Sequence, residues 1–144
     1  MLAGSFQARF SFGLMVVAAP ESTDPHDDWD PRAEIVHARS DSIYIGVRDT
    51  ASGLVTVTCF DGDEPHSQFP LLFSGPLALP SAQLRICDPN ETISMVLPVP
   101  SKSTTIAIYA DDTDEIAKLE IYLNVQARDE ITQPHPRPRG TADA

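Results

Sequence analysis

Three tight groups of carboxylates stand out in this chain: Asp27, Asp28 and Asp30 around the sole tryptophan, Trp29; then Asp61, Asp63 and Glu64; then Asp111, Asp112 and Asp114. Carboxylates at this density can do three kinds of chemistry. They can chelate a hard cation, since calcium collects roughly six to eight oxygen ligands. They can pair as general acid and general base. They can also form a negative surface that draws in a cationic partner. The spacing narrows the choice. No EF-hand loop is present, although Asp61, Asp63, Asp111, Asp112 and Asp114 would make a calcium set if two acidic loops met at one end of a domain. His26, His37, His66 and His135 share no metal-ligand spacing, and neither H-E-x-x-H nor G-x-S-x-G occurs. There is no phosphate-binding glycine loop and no basic aromatic patch for nucleic acid. The expectation is therefore a non-enzymatic protein without metal or cofactor, in which all ten residues named above bind a partner. Trp29 then has two readings, a plug that pins the acidic segment onto the domain or an exposed aromatic anchor of the kind enriched at interface hot spots. Tyr44, Tyr109 and Tyr122 read as structural.

Composition agrees with a binding role. Acids outnumber bases 21 to 10 in 144 residues, for a formal charge of -11. So negative a surface repels nucleic acid and anionic membrane and favours a basic protein. The length suits one domain with a core of its own. Cys59 and Cys87 lack C-x-x-C spacing and are expected as buried, reduced thiols. Residues 12–19 are apolar, but Phe6, Ala8, Phe10, Phe12, Leu14 and Val16 alternate with more polar positions, which is a strand pattern more than a signal segment. With Met1 retained and thiols free, the expected location is cytoplasmic.

The elements that would position these residues are short strands. Thirteen prolines against seven glycines cut the chain into pieces that suit extended backbone better than long helices. Period-two patterns predict strands over Phe6–Val17, Ile43–Val47, Leu54–Phe60, Gln68–Phe73, Ala82–Cys87, Thr92–Leu97, Thr104–Ala110 and Lys118–Gln126. The segment 74–81 reads as a proline-bounded connection whose Leu77 and Leu79 could extend a strand, and 33–39 fits either one helical turn or a short strand. The fold class is all-β, an antiparallel sandwich of about eight short strands over residues 1–127, followed by a disordered tail over 128–144. If successive strands simply alternate in direction, the acidic connections gather at one pole.

The order of features resembles the competence protein J family, small inhibitors of a nuclease of DNA uptake. The features that carry this are the apolar strand Phe6 to Val17, Asp28-Trp29 in an acidic segment, Ser42-Ile-Tyr-Ile45, Phe69-Pro-Leu-Leu-Phe73, and Leu97-Pro-Val-Pro100 before the strand that holds Tyr109. The likeness runs over about residues 5–126. It lacks the Pro-Gly pair that the family pattern places at Pro98–Pro100. It implies an inhibitor of a basic partner, a nuclease or toxin, whose phosphate-binding cleft an acidic surface could occupy. The alternative from composition alone is a ligand-binding or adhesive module at a cell surface, possible with calcium.

Overall fold

The computed structural model describes residues 1–30, 33–62 and 64–125; Asp63 and the expected tail over 128–144 lie outside the described residues. Among the described residues ten strands form two five-stranded sheets. The first has the order β1 (Leu2–Ala8), β5 (Val55–Asp61), β10 (Lys118–Leu123), β9 (Ser103–Ala110), β6 (Leu71–Ala78). The second has the order β3 (Val36–Ala38), β4 (Ser42–Gly46), β2 (Leu14–Ala18), β7 (Gln83–Cys87), β8 (Ser94–Pro98).

The alternation of apolar residues determines which face of each strand is buried, because successive side chains leave a strand on opposite sides. Val55, Val57 and Cys59, Ile106 and Ile108, and Leu119, Ile121 and Leu123 line the inner face of the first sheet. They meet Met15, Val17, Ile43, Ile45, Leu84 and Ile86 of the second in one core. Each such side chain contributes roughly 1.5–3 kcal/mol when fully buried.

Two expectations need correction, and one open reading closes. The long first strand, Phe6–Val17, is two strands that belong to different sheets. A 3-10 turn at Ser11–Gly13 carries the chain across, with Phe12 and Gly13 at φ 59° and 64°. Gly13 is required there, since a Cβ would lie 2.9 Å from the Val47 carbonyl oxygen. Phe10 meanwhile turns fully into the core. Alternation alone does not reveal such a corner, because the residues on both sides keep their period. Second, 74–78 belongs to β6, which continues through Pro76. The strand lies at a sheet edge, where a missing N–H costs no ladder bond. The open reading of 33–39 closes as a short edge strand over 36–38, which with the split first strand raises the count from about eight to ten among the described residues.

One strand pair is parallel, β5 with β10; every other pair is antiparallel. Two long connections depart from simple alternation. Residues 19–35 leave β2 beside the start of β4 and enter β3 beside its end, so they travel the height of the second sheet. Residues 62–70 likewise leave β5 beside the end of β10 and enter β6 beside the end of β9, at the opposite end of the first sheet. Each runs over an outer face, and aromatic side chains gather where it does. Phe60, His66, Tyr109 and Tyr122 cluster on one face, and His26, Trp29, His37 and Tyr44 on the other.

Candidate functional site

The acidic segment that holds Trp29 is the strap over the second sheet. Its seat follows from strand parity. Ile43 and Ile45 point into the core, so Ser42 and Tyr44 point out, beside Val16 and Ala18 of β2 and His37 of β3. An outward tyrosine among small apolar residues is a platform that the strap covers. His26 stacks on Tyr44 with ring centroids 3.8 Å apart. Trp29 meets the Tyr44 ring edge-on at 5.9 Å and lies nearly parallel to His37 at 6.2 Å. The Trp29 indole N–H donates to the Glu34 carbonyl at 2.8 Å, and the residue remains half-buried. Trp29 is thus a pin on an outer face and stays outside the core cluster, with part of its ring open to solvent.

Polar bonds complete the strap. Asp24 accepts from the His26 backbone N–H at 2.8 Å, and its other oxygen lies 3.3 Å from Arg39 Nε. Asp28 accepts from Arg39 Nη2, and the same Asp28 oxygen is 3.6 Å from His37 Nε2. The hydrogen bond from Arg39 holds the Asp28 carboxyl below its ordinary range. His26 Nδ1 and His37 Nδ1 are 2.7 Å apart, and His26 Nε2 is 2.5 Å from Ser42 Oγ. Both rings are closed off from solvent, at 4 % and 8 % exposure. A hydroxyl, two imidazoles and a carboxylate in a row have the sequence of a proton relay. Ser42, however, is only 1 % exposed and its hydroxyl is engaged by His26.

The remaining expected site residues do not join Trp29. Asp61 lies at the far end of β5, where Asn124 Nδ2 donates to it at 2.6 Å. Glu64 follows in the connection over the first sheet. Asp111, Asp112 and Asp114 occupy the β9–β10 loop at the opposite end from Asp61, since β10 runs parallel to β5. Asp111 accepts from the N–H groups of Ala117 and Lys118 at 3.0 and 3.1 Å, and Asp112 accepts from Thr113 and Asp114 at 2.7 and 3.3 Å. The single acidic pole expected from strict alternation is therefore not formed. The two face-crossing connections and the parallel pair place the groups at both ends and on both outer faces. Asp61 and the 111–114 loop also lie too far apart to share a cation, and no group of three or more His, Cys, Asp or Glu side chains converges among the described residues. The strap retains Asp27, Asp28, Trp29 and Asp30 as one continuous stretch.

Sequence spacing does not reveal His26 and His37 as a pair, because only the fold of the strap brings them together. The usable signal was the pair of outward polar residues, Ser42 and Tyr44, on an otherwise apolar strand. Both cysteines are unbridged and buried. Burial pushes the Cys59 thiol up to about 12. No helix among the described residues is long and apolar enough to cross a membrane.

Two solved structures share this fold. One is the crystal structure of ComJ, inhibitor of the DNA-degrading activity of NucA, from Bacillus subtilis. It superposes with a TM-score of 0.67 at 12 % identity, over 85 % of this chain and 96 % of that one. The other, crocagin biosynthetic gene J, gives a TM-score of 0.57 at 13 % identity, over 88 % and 98 %. No family model and no curated protein matches the sequence. The likeness read from the order of sequence features is met at the level of the fold.

Proposed function

We propose that this chain is a non-enzymatic acidic protein of the cytoplasm that binds and inhibits a basic protein partner, a nuclease or a toxin, with the strap residues Asp27, Asp28, Trp29 and Asp30 at the contact. The observation that carries the reading is the fold shared with ComJ, whose described role is inhibition of a DNA-degrading activity, over 85 % of the chain. The strap supports it. An aromatic side chain fixed by stacking and flanked by carboxylates loses little entropy on binding, and it offers an apolar anchor with charge around it. A nuclease cleft built for phosphates is basic, and carboxylates can occupy it as phosphate does.

The dispersed acids have a second task in this reading. Asp61, Asp63, Glu64, Asp111, Asp112 and Asp114 set up the long-range field that steers a basic partner, while the strap makes the contact. The two tasks separate experimentally. Purified protein is titrated against a basic nuclease in a DNA-cleavage assay, with association and dissociation rates measured at about 0.05 and 0.5 M salt. Asp27→Lys together with Trp29→Ala is expected to raise the dissociation rate tenfold or more, and Asp112→Lys to lower mainly the association rate. Binding that is insensitive to salt and survives the strap double variant would overturn the proposal.

A further inference from the structure

We infer that the strap is held by a proton-sensitive lock, a hydrogen-bond chain from Ser42 through His26 to His37 whose far end faces the Asp28 carboxylate, and that acidification opens it and withdraws the Asp27–Asp30 contact surface. The last step rests on the proposed function; the lock itself does not.

The direction of the chain follows from its far end. The Asp28 carboxylate only accepts, so the nitrogen facing it at 3.6 Å, His37 Nε2, carries the proton. A neutral His37 then has a bare Nδ1, which must accept from His26 Nδ1 across 2.7 Å. His26 Nε2 is bare in turn and accepts from the Ser42 hydroxyl at 2.5 Å. Both hydrogen bonds are satisfied with both rings neutral. The reverse order would aim a lone pair of His37 at the Asp28 carboxylate.

Another proton disrupts that order. A proton placed on His37 Nδ1 would be met only with the His26 tautomer and the Ser42 hydroxyl both reversed. On His26 it would go to Nε2, force Ser42 to turn and accept, and leave a cation in a site only 4 % exposed. The groups facing His26 divide. Asp24 and Asp28 favour the cation, His37 and Arg39 oppose it, and Tyr44 covers one ring face against water. Burial outweighs these, and it holds the His26 pKa below its ordinary 6.5. An opened strap would titrate near that ordinary value, so the closed strap is fully favoured above about pH 6.5 and loses stability as pH falls below it. His26 also sits at φ 53°, a left-handed backbone that a side chain other than glycine holds only while its contacts persist. A cavity of about 90 Å³ beside the strap is lined in part by Asp24, Ser42 and Tyr44.

The test is amide hydrogen exchange on the full chain from pH 7.5 to 5.5, corrected for the intrinsic pH dependence of exchange. Protection of the His26 and Trp29 amides and of segment 20–34 is expected to fall about tenfold, with β10 unchanged. Unchanged strap protection, or an equal loss in β10, overturns the lock. His26→Gln keeps a neutral hydrogen-bonding group and is expected to abolish the pH dependence. Should that variant not fold, nitrogen-15 spectra of the native imidazoles decide: a proton on His26 Nδ1 and on His37 Nε2 supports the chain, and the opposite tautomers overturn it. The partner arm is separate. Absence of binding at every pH counts against the proposed function alone, and tight binding through a strap whose protection ignores pH counts against the lock alone.

Discussion

His26 lies flat on Tyr44, with ring centroids 3.8 Å apart and planes within 10° of each other. The contact joins two residues that local sequence keeps apart, one in an irregular acidic segment and one on a strand. It ties the carboxylates around Trp29 to the outer face of the second sheet. Strand parity supplies Tyr44, and the length of the 19–35 connection brings His26 to it.

If Tyr44 is the platform, removing its ring should loosen the strap without dissolving the sandwich. Tyr44→Ala is expected to cost about 1–3 kcal/mol in urea unfolding, from lost burial and lost stacking. Tyr44→Phe keeps the ring and should stay within about 0.5 kcal/mol of the parent. A Tyr44→Ala protein as stable as the parent would show that the strap is held elsewhere.

Asp88 is a structural carboxylate at the β7–β8 turn. It is closed off from solvent and accepts from the hydroxyls of Ser11 and Thr92 and from the Thr92 backbone N–H. Burial pushes its pKa up, but the hydrogen bonds from Ser11, Thr92 and Ile93 outweigh burial and hold it at about 2. A carboxyl depressed in the folded state stabilises above its ordinary value of 3.8 and ceases to do so as pH falls from there to about 2. Asp88→Asn should cost roughly 1–3 kcal/mol at neutral pH. It should also flatten the acid limb of a stability-against-pH curve in that window. An unchanged limb would refute the assignment.

Phe12 is 75 % exposed and sits at φ 59°, so its ring gains little from burial while its backbone bears a left-handed conformation. Phe12→Gly relieves that strain and is expected to raise stability by up to about 1 kcal/mol, read from the denaturation midpoint. Under the proposed function, inhibition measured in parallel is expected to be retained, since the proposed contact lies on the strap.

The thiols should differ in the time they take to react. Cys59 lies in the core with its pKa raised to about 12, so alkylation should await unfolding. Cys87 lies on the outer face of the second sheet and lines the cavity beside the strap. It should react before Cys59, and faster in Tyr44→Ala, where the strap is loosened. Equal rates for the two thiols in the native protein would contradict this placement.

The sequence by itself determined the all-β class, most strand positions and the sign of the surface. Alternation along β4, β5 and β10 depends on which side of a strand a residue occupies, and that is a local property. The acidic segment was legible for the same reason, since composition and proline mark it whatever it packs against. Only the tertiary structure decided which carboxylates are neighbours. The corner at Phe12 and Gly13, the parallel pairing of β5 with β10 and the two connections that cross outer faces depend on contacts between distant residues. Each one breaks the alternation that a reading of strand order assumes. Asp61 and Asp111 were separated in that way, and His26, His37 and Ser42 were brought within hydrogen-bonding distance across 16 positions of chain.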